Sequence, residues 1–156
     1  IFYNHYQTGR PRSGQYRDMA SMDAKFWFGF GLSYTTFEYG SVRLIPAADG
    51  KPAEAAVTIT NTGTREGVEV AQLYIRQLVC HEGARPKQEL RGFRRIALKP
   101  GEKADVRFPL TGEVLGFTTR DGKWQVDDSE YQVWIAPHAQ EGIPVSYSHR
   151  GRALKK

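Results

Sequence analysis

The chain has 156 residues, of which 40% are hydrophobic, 25% charged and 12% aromatic, and its formal net charge is +5. This composition suits one globular domain with an extension and leaves too little chain for two full cores. No apolar run approaches the roughly 20 residues that cross a bilayer as a helix, so a membrane is not an expected partner.

The basic excess is confined to one end. Residues 148–156 carry Arg150, Arg152, Lys155 and Lys156 and no acid, leaving 18 basic against 17 acidic residues in the rest. A short basic terminus reads as a solvated tail rather than a phosphate-binding arm, so nucleic acid is not expected either. The single cysteine, Cys80, excludes an intrachain disulfide and a four-cysteine metal site, and leaves the compartment open.

The chain opens IFYNHYQTGR, without an initiator Met, a basic n-region or a signal-peptide core, as expected of a mature, trimmed or truncated product. Residues 1–25 hold no sustained period. Ile1 to Tyr6 has the composition of a short strand, Thr8-Gly9-Arg10-Pro11 and Ser13-Gly14 are turn chemistry, and Met19 to Met22 allows one helical turn at most. Such a segment cannot bury a core of its own and is expected either to lie on a partner surface or to be disordered.

Phe26 to Phe37, FWFGFGLSYTTF, gathers Phe26, Trp27, Phe28, Phe30, Tyr34 and Phe37 around Gly29 and Gly31. Rings at that density need an apolar partner, and the glycines permit positive φ or close backbone approach. The stretch is expected to be a seam between two domains. Trp27 and Tyr34, which carry polar atoms, are the rings suited to sugar contact, but packing between domains is the favoured role.

From Thr35 onward the pattern is β. Thr36 to Leu44 alternates loosely, Pro46 to Pro52 is a polar turn, and Ala55 to Thr60 sets Val57 and Ile59 on one face before the Asn61-Thr62-Gly63 turn. Gly67 to Arg76 is apolar on both faces, with Val68, Val70 and Tyr74 on one and Ala71, Leu73 and Ile75 on the other. That predicts a strand covered on both sides. Leu90 to Leu98 and Ala104 to Leu110 follow, separated by Lys99-Pro100-Gly101-Glu102. Asp121-Gly122 marks a two-residue hairpin between Thr118–Arg120 and Lys123–Val126.

Tyr131 to Ala136 directs Tyr131, Val133 and Ile135 inward and leaves Trp134 outward, while Trp124 is assigned to the core. Ile143 to Ser148 adds an edge strand. About seven strands at this spacing, with no helical period in any long window, predict an all-β protein: an antiparallel β-sandwich over 36–148, after an irregular N-terminal extension over 1–35 and before a tail at 149–156.

Four ordered blocks carry a resemblance: FGFGLSYTTF, VTITNTGTREGVEVAQLYI, RPKQELRGFRRIALKPGEKADVRFPL and DGKWQVDDSEYQVWIA. Together they resemble the carboxyl-terminal region of family-three glycoside hydrolases, the β-glucosidases and β-xylosidases. The resemblance runs from Tyr3 to about Pro137 and implies a fibronectin type III-like sandwich. YNHYQTGRP is similar to the end of the preceding α/β sandwich domain, most like that of bacterial periplasmic β-glucosidases. Trp27 departs from the family, which commonly has proline before F-G, and Asp127-Asp128-Ser129-Glu130 replaces the usual acidic-Pro-Gly turn.

The resemblance implies hydrolysis of terminal β-glycosidic bonds with retention, in a periplasmic or secreted enzyme. That chemistry needs two carboxyl groups roughly 5 Å apart. In the family these lie in the amino-terminal barrel and the α/β domain, so neither catalytic residue maps onto this chain, which is expected to brace those domains and to be inactive alone.

The acids present have structural explanations. Glu66, Glu69, Glu102 and Asp105 fall at strand ends or polar positions, Asp121 in a hairpin, and Asp127-Asp128 in a solvated turn. His5, His81, His138 and His149 lack metal-ligand spacing, and Ser33 lacks the nucleophile elbow, so no metal or cofactor is implied.

Outside the seam, two places are expected to meet a partner or the substrate rim. The long loop 77–88 offers Arg85 and Lys87, for which the resemblance suggests acidic partners on the catalytic domains. Trp134 is expected to dock under a second layer or to contact carbohydrate. The other reading is an independent carbohydrate-binding or adhesion module, whose aromatic platform would come from Trp134 and Tyr74.

Overall fold

The computed structural model describes residues 3–4, 24–48, 50 and 52–150. The turn expected at residues 8–14, the helical turn at 19–22 and the end of the basic tail lie outside them. The described strands are β1 (Phe37–Tyr39), β2 (Arg43–Ile45), β3 (Glu54–Asn61), β4 (Gly67–Gln77), β5 (Glu89–Leu98), β6 (Lys103–Pro109), β7 (Phe117–Thr118), β8 (Trp124–Gln125), β9 (Ser129–Ala136) and β10 (Val145–His149). A four-residue helix, α1 (Gly112–Leu115), precedes β7. It is too short to leave a period in the sequence.

Two antiparallel sheets face each other. In the first, β3 pairs with β6 on one edge and with β1 and β2 on the other. Phe37 to Tyr39 oppose Asn61 to Ile59, and Arg43 to Ile45 oppose Ala56 to Glu54. Residues 40–42 therefore stand against only Val57 and Thr58, so β1 and β2 are one edge strand broken by an extra residue. This explains the loose alternation of Thr36 to Leu44. The second sheet has the order β10-β9-β4-β5, while β7 and β8 form a separate ribbon. Counting β1 and β2 as one gives the three strands against four of a fibronectin-type sandwich.

The core follows the inward positions read from the alternation: Ala55, Val57 and Ile59 of β3, Ala71, Leu73 and Ile75 of β4, Val106 and Phe108 of β6, and Tyr131, Val133 and Ile135 of β9. Between Leu73 and Tyr74 the β4–β5 register slips, because Leu73 pairs with Gly92 and Tyr74 with Leu90. The slip leaves Arg91 as the extra residue. Gly92 leaves room there, since a Cβ would crowd the Phe108 ring of the opposite sheet at 3.2 Å.

Buried polar groups are tied down. Asn61 donates through Nδ2 to Leu98 O (2.9 Å) and Arg65 O (2.8 Å), and accepts at Oδ1 from Thr35 Oγ1 (2.7 Å) and Gly63 N (3.0 Å). That satisfies its amide and fastens the end of the aromatic stretch to the sandwich. Tyr131 Oη donates toward Leu115 O (3.4 Å) and Asp127 O (3.5 Å), the latter four residues upstream, an arrangement of the tyrosine-corner kind. Burial first, and then the Asp127 charge, push its hydroxyl up to about 12.

Candidate functional site

The outer face of β4 and β9 carries a second, smaller core. Tyr74 and Trp134 are cross-strand partners with stacked rings 5.8 Å apart, and both are buried. Alternation directs these side chains away from the sandwich, so something else covers them. Tyr3 sits edge-on to Tyr74 at 6.4 Å and stacks on Phe28 at 3.8 Å, and Ala136 and Ala139 close the cluster. Leu90 N donates to Tyr3 Oη (3.0 Å), and Gln88 Nε2 donates to Tyr3 O (3.3 Å). The Tyr74 hydroxyl is held well above the ordinary tyrosine range, by burial and then by Tyr3.

Trp134 is therefore 7% exposed beneath the chain's own residues, and neither it nor Tyr74 offers a platform to a ligand. The docked alternative describes its position; the carbohydrate one does not.

The aromatic stretch lies across this face. Ala139 N donates to Phe28 O (2.9 Å) and Phe30 N to Trp27 O (2.9 Å). Gln72, buried in β4, acts as the clip. Its Nε2 donates to Gly29 O (3.0 Å) and to Pro137 O, while its Oε1 accepts from Tyr74 Oη (2.7 Å). Gly29 has φ +80°, and a Cβ there would lie 2.0 Å from Gln72 Oε1. Glycine is thus favoured here by its positive φ, and any larger residue would displace the Gln72 amide from its clip. Gln72 was not legible as a site residue because its partners lie 43 and 65 residues away.

The remaining rings divide. Phe37 belongs to β1 and packs against the sandwich core, not on the seam. Trp27 is half-buried, and Phe26 and Phe30 contact each other at 5.4 Å. Phe26, Leu32 and Tyr34 are 62%, 90% and 95% exposed, and Val68 and Phe93 of the neighbouring strands are exposed beside Leu32. A cleft of about 420 Å³ runs between the stretch and the sheet, lined by Leu32, Val68, Val70, Leu90, Phe93 and His138. Its walls are largely apolar, with Gln72 and Glu69 as polar members.

The loop 77–88 behaves differently from expectation. Arg85 is bound within the chain: Nη2 meets Glu89 Oε2 at 2.6 Å, and the guanidinium lies 4.6 Å from the centre of the Phe117 ring. Glu89 also binds Arg91, whose Nη2 donates to Gly116 O (2.9 Å). The acid that Arg85 was expected to seek elsewhere is four residues away in its own chain. Lys87 stays exposed.

Asp127, expected in a solvated turn, is buried. It accepts from Gln125 Nε2 (2.6 Å) and Gln77 Nε2 (3.1 Å). Burial pushes its carboxyl up, but the hydrogen bonds from Gln125, Gln77, the His81 backbone and the Cys80 thiol outweigh it and hold the group below the ordinary carboxylate range. Ser129 Oγ adds a bond to Val79 O (2.6 Å), so the loop is pinned at its root. Trp124, assigned to the core from the sequence, is instead 53% exposed on the β7–β8 ribbon. Two-residue strands give no alternation from which to read a face.

Among the described residues no group of three or more His, Cys, Asp or Glu could hold a metal. Nor is any helix among them long and apolar enough to cross a membrane.

Comparison with known proteins agrees with this architecture. Residues 69–139 match the family of the fibronectin type III-like domain. The periplasmic β-glucosidase of Salmonella typhimurium is 39% identical over 146 residues, covering 86% of this chain and 19% of that protein. A xylan 1,4-β-xylosidase of Xylanibacter ruminicola is 43% identical over 112 residues, covering 67% of this chain and 13% of that protein. Among solved structures, the β-glucosidase of Listeria innocua in complex with glucose superposes with a TM-score of 0.80 at 28% identity, covering 99% of this chain and 22% of that one. The chain thus spans about a fifth of the length of such relatives. Residues 69–139 form a fibronectin type III-like domain, and the chain as a whole corresponds to the carboxyl-terminal region of family-three glycoside hydrolases of the β-glucosidase and β-xylosidase kind.

Proposed function

We propose that this chain is the accessory, carboxyl-terminal part of a retaining β-glucosidase or β-xylosidase, which hydrolyses terminal β-glycosidic bonds when complete. Its own work is to brace the barrel and α/β domains through the aromatic outer face of the β4–β9 sheet. Oligosaccharide substrate is cleaved only through the complete enzyme, which is periplasmic or secreted; the similarity to the Salmonella periplasmic β-glucosidase supports that location.

The observation that carries the reading is the exposure of Leu32, Val68 and Phe93 along one cleft on one sheet face, with Phe26 and Tyr34 of the same aromatic stretch also exposed. A contiguous apolar surface of this kind marks an interaction site. Tyr3, at the start of the segment that is similar to the end of the α/β domain, stacks on Phe28 beside it. Seam residues Phe26, Trp27, Phe28, Phe30 and Tyr34 are assigned to this contact together with Leu32 and Phe93. Lys87 is the cation left at the loop for the domain rim, while Arg85 shapes that loop from within.

The chain alone is expected to release no product from an aryl β-glucoside above a matched blank. Turnover by the purified chain would overturn the proposal.

A further inference from the structure

Trp124 has no role in the brace. It lies on the β7–β8 ribbon, beside the turn after α1, at the end of the sandwich where Asp127 anchors the loop; the seam crosses β4 further back, at Gln72. An exposed tryptophan on a short ribbon often has only solvent around it, but this one has backbone partners. Its Nε1–H donates to Gly112 O (3.3 Å), and the ring edge rests on the backbone of Gly116. A Cβ at Gly116 would stand 2.5 Å from Nε1 and 2.6 Å from Cε2, so the ring could not lie where it does. Gly116 is itself held, because its N donates to Gly112 O (2.9 Å) and its O accepts from Arg91 Nη2.

The result is an indole whose edge rests on backbone and which is half open to solvent. An aromatic body with a hydrogen-bonded polar tip is the surface that stacks on an apolar ring face. A polar group sits beside it. Thr118, exposed, is the cross-strand partner of Trp124, so their side chains share a face of the ribbon. A hydroxyl beside an indole with a hydrogen-bonded tip suits a ligand with an apolar ring face and a rim of hydroxyls, which is the chemistry of a pyranose.

We infer that Trp124 is a carbohydrate-stacking platform, held by Gly112 and Gly116, for a pyranose ring of a β-linked gluco- or xylo-oligosaccharide. The choice of β-linked sugars rests on the glycosidase reading above; the platform itself rests on the geometry. It holds the non-reacting part of a glycan against the accessory domain.

The test is titration calorimetry of the chain with cello-, xylo- and malto-oligosaccharides, with tryptophan fluorescence as a second readout. Wild-type chain is expected to bind a β-linked series, Trp124→Ala to lose at least ten-fold in affinity, and Trp124→Phe to retain part of it. Leu32→Ser/Tyr34→Ser, on the seam, is expected to bind like wild type, so a failed brace and a failed platform are separable. Heat no greater than dilution for the wild type, binding of malto-oligosaccharides alone, or binding that survives Trp124→Ala overturns the inference.

Discussion

The two sheets of this sandwich present opposite kinds of outer surface. On the β3–β6 sheet the outward residues are Thr58, Asp105, Arg107 and Glu54, joined by Arg43, and they pair among themselves. Thr58 Oγ1 donates to Asp105 (2.6 Å), Arg43 binds the same carboxylate, and Arg107 lies 3.7 Å from Glu54. These hydrogen bonds, from Thr58 first and Arg43 second, hold the Asp105 carboxyl below its ordinary range. On the β4–β9 sheet the outward positions are Gln72, Tyr74 and Trp134, buried under Tyr3, Phe28 and Ala139. One face ends at solvent; the other begins a second layer. A sandwich needs only one buried face per sheet, so the apolar outer face of β4 and β9 has a purpose beyond holding the fold.

The largest way to break this contrast is Trp134→Ala. Removing a buried indole from the second layer is expected to cost about 3–5 kcal/mol by chemical denaturation. A cost near zero would mean that the outer layer contributes nothing to folding. Gly29→Ala should come next, at about 1–3 kcal/mol for a non-glycine residue at positive φ. It also pushes Gln72 off its clip and so loosens the segment, and protection of the Phe30 and Ala139 amides, which donate to Trp27 O and Phe28 O, should fall against hydrogen exchange; unchanged protection would remove Gln72 from the account.

Asp127 gives a smaller effect with a definite sign. Its folded pKa is depressed, so its contribution to stability is present above the unfolded pKa and is lost as pH falls through the ordinary carboxylate range to the folded value. The wild type should therefore lose stability on acidification over that window, and Asp127→Asn should flatten that part of the profile. An identical acid limb in the variant would contradict the assignment. Asp105→Asn on the solvent face should move the thermal midpoint least, since its partners are exposed and screened.

The same contrast explains what the sequence disclosed. The strict alternation of β3, β6 and β9 made their inward residues legible, and the apolar residues on both sides of β4 announced a second cover. Asp121-Gly122 marked the hairpin, with Gly122 at φ +84°. The pairing of Thr118 with Trp124 and the Thr119 N–Lys123 O bond, however, leave Arg120, Asp121 and Gly122 as a three-residue loop, one residue longer than the expected turn. The reading failed where the decisive partner is remote or the element short. Asp127 looked like a turn acid because Gln77 lies 50 residues away. Arg85 was assigned an external acid because only the folded loop turns it toward Glu89 and Phe117. Trp124 was placed in the core because a two-residue strand does not declare which face it buries. Gln72, a polar residue within an apolar strand, was the overlooked signal for the clip.

The central claim, that the aromatic outer face is built to be covered by other domains, is tested most directly by hydrophobic-dye binding to the chain alone. Wild-type chain should bind the dye strongly, and Leu32→Ser/Tyr34→Ser/Phe93→Ser should abolish most of the signal without lowering the unfolding midpoint. A wild-type chain that binds no dye and stays monomeric at high concentration would contradict it.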